Sequence, residues 1–538
     1  MKHIWIALAL LCGACAPLPP PVTPVPPSGT QTAQLNVSIY DEAGAPVNDA
    51  TGTLVLDAEP VETAVTLSSA GWRQSFEFQM PPAHLGWSGT LTVKSPSYVT
   101  TAVRIPPVAS GASELPTVTM KALFRARTGT VGIAGRTFVD AQGPWLAIGA
   151  SHFVSGWLYL HDRDKFDREL KTLQGRVDFL RSFVLVGPSG YWEDRQLGPG
   201  DLGMVAAVTD AHYAVGFRTQ WTVFAGIDTV PTRDARRQVI ARLCTDLQSR
   251  QDKLQFIEVA NEGWQNGFDG ETGRAELLEH AAALRACLPQ VQVALTAPDG
   301  PDLASIYEGS LATLATAHLE RDTNGSGGMF RPIRQAREFA EQRWPWVSNE
   351  PIGPQSSVAA DDNPERLALS AVYTWLCRGA AYVYHAGAGI RSGGAADLGR
   401  GRSASFADVP HLGEALDLMQ EARAALPPDL PNWNWQNSNG RYPNHPFQMS
   451  YTAPDGTRLI APEDQLLRSF AALSGDGRFV MVPLNVTEPT LFTAAKPMSF
   501  DVRSISDPAT VIASVTLGIG QGYTLPAMPG ALFIGRFQ

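Results

Sequence analysis

The 538-residue chain is too long for a single hydrophobic core, so two to four domains are expected. Hydrophobic residues make up 44% and charged residues 17%, the composition of a globular protein, which excludes extensive disorder. The formal net charge is -10 and no block of Lys or Arg stands out, which excludes a nucleic-acid footprint and favours a neutral or weakly charged substrate.

The chain starts Met1-Lys2-His3, continues with an apolar run over 4–11 and then reads Cys12-Gly13-Ala14-Cys15, the order of an export signal. The run is too short to span a bilayer, and no later segment approaches the ~20 apolar residues that a span needs. The small residues before Cys15 resemble a bacterial lipobox, which implies cleavage before Cys15, lipidation of its sulfur and a lipid-anchored place in the cell envelope. Cys12 stands where such boxes usually carry Leu, so the alternative is an ordinary signal peptide and a secreted or periplasmic protein. Residues 1–15 are thus expected as signal and 16–33, with Pro at 17, 19–21, 24, 26 and 27, as an extended linker without a core.

From Gln34 short alternating stretches begin, with Leu35, Val37 and Ile39 apolar around Asn36 and Ser38. Further strands over 53–56, 76–78, 90–93 and 101–105 predict a β-sandwich over 34–121. Its Asp41-x-x-Gly44-x-Pro46-Val47 stretch resembles immunoglobulin-like and transthyretin-like modules. A spacer role is expected for it ahead of carbohydrate binding.

Over 130–426 short apolar runs alternate with longer amphipathic segments, which predicts a (β/α)8 TIM barrel. Strands are expected at 145–149, 177–184, 217–224, 254–260, 291–295, 313–317, 346–348 and 381–384. Helices are expected at 233–248, 274–287, 332–342, 364–377 and 412–424, with apolar residues at three- and four-residue spacing. Residues 427–538 alternate again and predict a C-terminal all-β, sandwich-like domain. Of the cysteines beyond the signal, Cys244 and Cys287 lie near the ends of consecutive helices and form the expected pair, against the alternative of three separate thiols including Cys377.

In a parallel barrel the chemistry sits where strands end. Strand four ends in Asn261-Glu262-Gly263-Trp264 and strand seven in Asn349-Glu350-Pro351, each placing a Glu directly after a buried run. Hydrolysis of a glycoside with retention needs two carboxyls ~5 Å apart, one protonated and one ionised, and strands four and seven face each other across such a barrel. Ser151-His152-Phe153 after strand one, Arg181 on strand two, His318 after strand six and His385 after strand eight are the other strand-end candidates. The histidines have no metal-ligand spacing, so neither a metal nor a cofactor is expected. Trp192, Trp221, Trp264 and Trp346 are candidates for stacking on sugar faces or for core packing. The Asn432-Trp433-Asn434-Trp435-Gln436 stretch is either a cleft rim or a loop joining domains.

With Asn261-Glu262 and Glu350 in these places the chain resembles the clan A glycoside hydrolases, the group of cellulases, β-mannanases and β-galactosidases. The resemblance covers the barrel in organisation and a few residues in motif. It implies Glu262 as general acid/base, Glu350 as nucleophile, Asn261 as a partner of the substrate 2-hydroxyl and Arg181 as the group that keeps the nucleophile ionised. It also implies that His152 lines the cleft. His318 stands near where the family often has a Tyr, and His385 where many members have a Trp. The function expected on this basis is a retaining glycoside hydrolase acting on a β-linked oligo- or polysaccharide; the alternative is a non-catalytic glycan-binding or scaffold lipoprotein on the same barrel.

Overall fold

A computed structural model of the chain describes residues 31–538 except 43, 48–49, 57–58, 66, 71–72, 81–84, 96–97, 188–194, 325–327, 355, 357–358, 387–404, 438–444, 453–457 and 461–468. The signal, Cys15, most of the proline-rich segment and Trp192 lie outside the described residues. The described residues fall into two compact units, one within residues 31–95 and 101–120 and one within residues 98–100 and 121–538.

The smaller unit is all β. Gln31–Asp41 pairs antiparallel with Arg73–Met80 and parallel with Gly111–Glu114 and Val118–Met120, while Thr51–Leu56 lies between Glu59–Val65 and Gly89–Ser95 in a second sheet. Alternation decides which faces are buried: Leu35, Val37 and Ile39 in the first sheet and Leu54, Leu91 and Val93 in the second are 2% exposed or less.

The larger unit is built on eight parallel strands: β1 (Ala147–Ser151), β2 (Phe179–Val186), β3 (Arg218–Ala225), β4 (Leu254–Ala260), β5 (Val293–Ala294), β6 (Ala315–Ala317), β7 (Trp346–Ser348) and β8 (Gly379–Tyr384). Their order in the sheet, β5-β4-β3-β2-β1-β8-β7-β6, is that of a (β/α)8 barrel. Every residue of β2, β3 and β4 is buried, as strands covered by helices outside and by packed side chains inside must be. Between β5 and β6 the ladder is interrupted. The seam is closed by Thr313 N–H donating to Val293 O at 2.9 Å and by the phenol of Tyr307, which receives the N–H groups of Leu295, Thr296 and Thr316 at 3.1–3.2 Å and donates to Thr296 O.

The lower end of the barrel is plugged. A three-stranded meander of Gly132–Ala134, Thr137–Asp140 and Gly143–Trp145 puts Phe138 and Trp145 against Phe179, Phe256, Leu314 and Val347. Gly149 makes room for this layer, since a Cβ there would stand 2.5 Å from the Phe179 ring. The upper end holds polar side chains.

Helices Arg233–Leu247 and Gly270–Cys287 are joined by the Cys244–Cys287 disulfide, and Cys377 is a buried free thiol. The single helix expected over 332–342 is instead a short α-helix, Arg331–Arg334, followed by a 3-10 stretch, Gln335–Phe339. Its buried residues Ile333, Ala336 and Phe339 recur every third position, so three residues per turn keep all of them on one face.

After helix Leu412–Ala425 the chain forms two antiparallel sheets. Phe447, Phe479, Phe492, Phe500 and Phe533 interlock between them, and the Tyr373 hydroxyl donates to Val482 O at 2.6 Å, tying helix Pro364–Leu376 to the larger sheet. Among the described residues no helix is long and apolar enough to cross a membrane.

Tyr307→Phe removes the one oxygen that serves three backbone donors at the barrel seam. The expected loss is about 1–3 kcal/mol of unfolding free energy, read from denaturant titration.

Candidate active site

Along β2, β3 and β4 alternate side chains enter the barrel. Arg181 pairs in register with Ser151 and Gln220, and Thr222 with Glu258, so Arg181, Gln220, Thr222 and Glu258 occupy its upper interior. Arg181 is fully buried. Its Nη1 donates to Glu350 Oε1 at 2.5 Å, and its Nη2 donates to Asn261 Oδ1 at 2.7 Å and to Glu258 Oε2 at 3.2 Å. Thr222 Oγ1 and Asn349 Nδ2 also donate to Glu258, and Gln220 Nε2 donates to Asn349 Oδ1. One guanidinium thus links β2 to the ends of β4 and β7 and packs beside the paired rings of Phe153 and Phe183.

Glu262 follows β4 in a left-handed conformation, φ 42°. The turn that holds it is pinned by Gly263 N–H donating to Thr296 Oγ1 at 2.8 Å and by Asn266 Nδ2 donating to Asn261 O at 2.7 Å. Its side chain is 19% exposed and that of Glu350 9%. His318, at the end of β6, stands between them, with Nδ1 3.0 Å from Glu262 Oε1 and Nε2 3.6 Å from Glu350 Oε1. One oxygen of each carboxyl and a nitrogen of His318 all lie within 4.8 Å of one another.

Burial alone would raise the Glu350 carboxyl, but His318, Arg181, His385 and Arg321 outweigh it and hold it well below the usual carboxylate range. His385, pushed down to about 3 by burial, is neutral at pH 7. The trio Glu262, His318 and Glu350 has donor atoms that suit a metal ion. Arg181 hydrogen-bonds one oxygen of Glu350 at 2.5 Å and Arg321 makes an ion-pair contact with the other at 3.7 Å, and both repel a second cation, so the charge pattern opposes that use.

Glu262, Glu350, Asn261, Arg181, His318 and His385 therefore gather at one end of the barrel, and Trp264 follows on the same loop as Glu262, 43% exposed. His152 is the exception and corrects the expectation that it lines the cleft. Ser151 shares its register with the inward Arg181, so the next residue turns outward. His152 is 1% exposed, its Nδ1 lies 2.6 Å from Ser155 Oγ, and Phe166 and Phe406 pack on it. Trp221 and Trp346 are likewise core residues, with indole N–H groups donating to Thr209 Oγ1 and Cys377 O. Trp433 and Trp435 pack where the C-terminal sheets meet the barrel, and Asn432 Oδ1 accepts from the Arg136 N–H of the lower meander, so this stretch joins domains.

Two groups escape the strand-end argument. Glu258 lies inside β4, and its signal is a charged residue within a mostly apolar strand, four residues before Glu262. Arg321 sits three residues beyond His318, which follows β6, in a charged run that reads as an ordinary loop.

No family model matches the chain, and no curated protein does. Among solved structures, one described as a glycoside hydrolase aligns with TM-score 0.54 and 11% identity over 76% of this chain and 97% of its own. A glycoside hydrolase family 5 protein from Bacteroides vulgatus ATCC 8482 aligns with TM-score 0.54 and 11% identity over 76% of this chain and 94% of its own. At that identity the likeness is one of fold.

Burial also holds His152 at about 3 and His445 at about 4, whereas an unfolded histidine titrates near 6.5. Below about pH 6.5 the unfolded chain therefore binds more protons than the folded one, so stability present above that pH is lost on acidification toward the folded values. Denaturant midpoints measured from about pH 7.5 to about pH 5 should fall, by about 1.4 kcal/mol per pH unit for each such histidine below 6.5.

Proposed function

We propose that this protein is a retaining glycoside hydrolase that cleaves a β-linked glycan by double displacement. The observation that carries this reading is the pair of carboxyl groups, Glu262 and Glu350, with oxygens within 4.8 Å across the barrel mouth and with the second held ionised by His318 and Arg181. That spacing suits direct attack on the anomeric carbon, whereas an inverting pair stands ~6.5–9.5 Å apart to admit a water. The non-catalytic reading would fit a separation beyond ~10 Å.

In the first step Glu350 attacks the anomeric carbon as the bond to the leaving oxygen breaks, and Glu262 gives that oxygen its proton. The sugar is then held as an ester of Glu350. In the second step Glu262 takes a proton from water, the water oxygen attacks the same carbon and Glu350 leaves as carboxylate. Asn261, with its carbonyl oxygen committed to Arg181, has its amide N–H groups left to donate to a sugar hydroxyl. Trp264 offers an exposed ring for a sugar face at the rim. The scheme uses no cofactor. The export signal and Cys15 in the sequence support placing this activity at a bacterial cell envelope on a lipid anchor.

Glu350→Gln removes the nucleophile and Glu262→Gln the proton donor. Each is expected to lower kcat by about 100- to 10,000-fold on a panel of chromogenic β-glycosides, with folding checked by circular dichroism. With a 2-deoxy-2-fluoro glycoside, mass spectrometry should find the sugar on Glu350. Full activity in either variant overturns the assignment.

A further inference from the structure

Arg321 lies beside the nucleophile and is not used by the scheme above. Its side chain is only 11% exposed. Among the described residues its one hydrogen-bond partner is His385, whose Nε2 lies 3.2 Å from Arg321 Nη1. With Nε2 accepting, His385 carries its proton on Nδ1, which is buried and has no partner among the described residues. Arg321 Nη2 is 3.7 Å from Glu350 Oε2, too far for a hydrogen bond, and the other oxygen of Glu350 is taken by Arg181 at 2.5 Å. The two acids next to Arg321 in the chain are turned away from it: Glu320 accepts from Gln335 and Arg331, and Asp322 accepts from Arg331.

A nearly buried guanidinium with five N–H groups therefore makes its one hydrogen bond among the described residues to an uncharged imidazole, and Glu350, its one carboxylate contact among them, is an ion-pair neighbour at 3.7 Å that Arg181 already hydrogen-bonds. Removing such a charge from water is costly unless an anion compensates it. The planar fork of a guanidinium matches a carboxylate in two parallel hydrogen bonds, and a neutral sugar hydroxyl matches only part of it. We propose that Arg321, with His385 beside it, binds the carboxylate of a uronic acid in the sugar subsite next to Glu350, so that the substrate is an acidic β-glycan. This rests on the glycosidase reading for its catalytic consequence, though not for the anion site itself.

The full chain is assayed on 4-nitrophenyl β-glucuronide and β-galacturonide against the matching β-glucoside and β-galactoside, and calorimetry compares free glucuronate with glucose. The expected result is a higher kcat/KM for a uronide than for its neutral counterpart. Arg321→Gln should lower the uronide value by about 100-fold, mainly through KM, and abolish glucuronate binding, while Arg321→Lys recovers part of both. Equal or better turnover of the neutral glycosides overturns the proposal while leaving the glycosidase reading intact. Glucuronate binding that depends on Arg321 without cleavage of any glycoside does the reverse. If Arg321→Gln slows both classes equally and moves the acid limb of the pH profile upward, Arg321 only positions charge around Glu350, and the uronate assignment fails.

Discussion

The upper half of the barrel depends on the Arg181 guanidinium. It is completely buried, so its charge has to be met inside the protein, and it is met by Glu350, Glu258 and the Asn261 carbonyl from two other strands. Because two carboxylates share it, neither is left as an isolated buried charge. Removing one member of such a group strands the others, at a cost of about 3–5 kcal/mol. The same contacts that order β2, β4 and β7 also set the ionisation of Glu350, so structure and chemistry are coupled through one side chain.

The barrel interior is divided by function along its axis. Below, Phe138, Trp145, Phe179, Phe256 and Val347 form an apolar plug that excludes water and fixes the strands. Above, Arg181, Gln220, Glu258 and Asn349 fill the same cross-section with a hydrogen-bonded network. The hydrogen bonds of this polar layer stiffen the barrel mouth where Glu262 and Glu350 stand, with oxygens within 4.8 Å of each other.

Much of this was legible before any coordinates. All eight strands fall within a few residues of their expected places, because strands buried on both faces leave short, mostly apolar runs between helical segments. The Glu262 and Glu350 positions were legible because a carboxylate directly after a buried strand is out of place unless it has work there. What failed was the facing of residues at strand ends. His152 lies one residue beyond the last inward position of β1, and a shift of one residue exchanges cleft for core. Trp221 and Trp346, open between sugar face and core in the sequence, are core residues, and an aromatic in a strand has the same sequence signature in either place. Arg321 was hidden because its meaning lies in what it lacks, a hydrogen-bonded carboxylate partner among the described residues, and that is a property of three-dimensional neighbours.

The backbone at Glu262 has a consequence for how this residue is retained. Its left-handed φ of 42° disfavours a side chain with a Cβ by roughly 1–2 kcal/mol, and glycine or asparagine would rest there more easily. Folding alone would therefore drift away from glutamate at this position. With Glu262 as the proton donor proposed above, selection for stability and selection for turnover pull in opposite directions at a single residue.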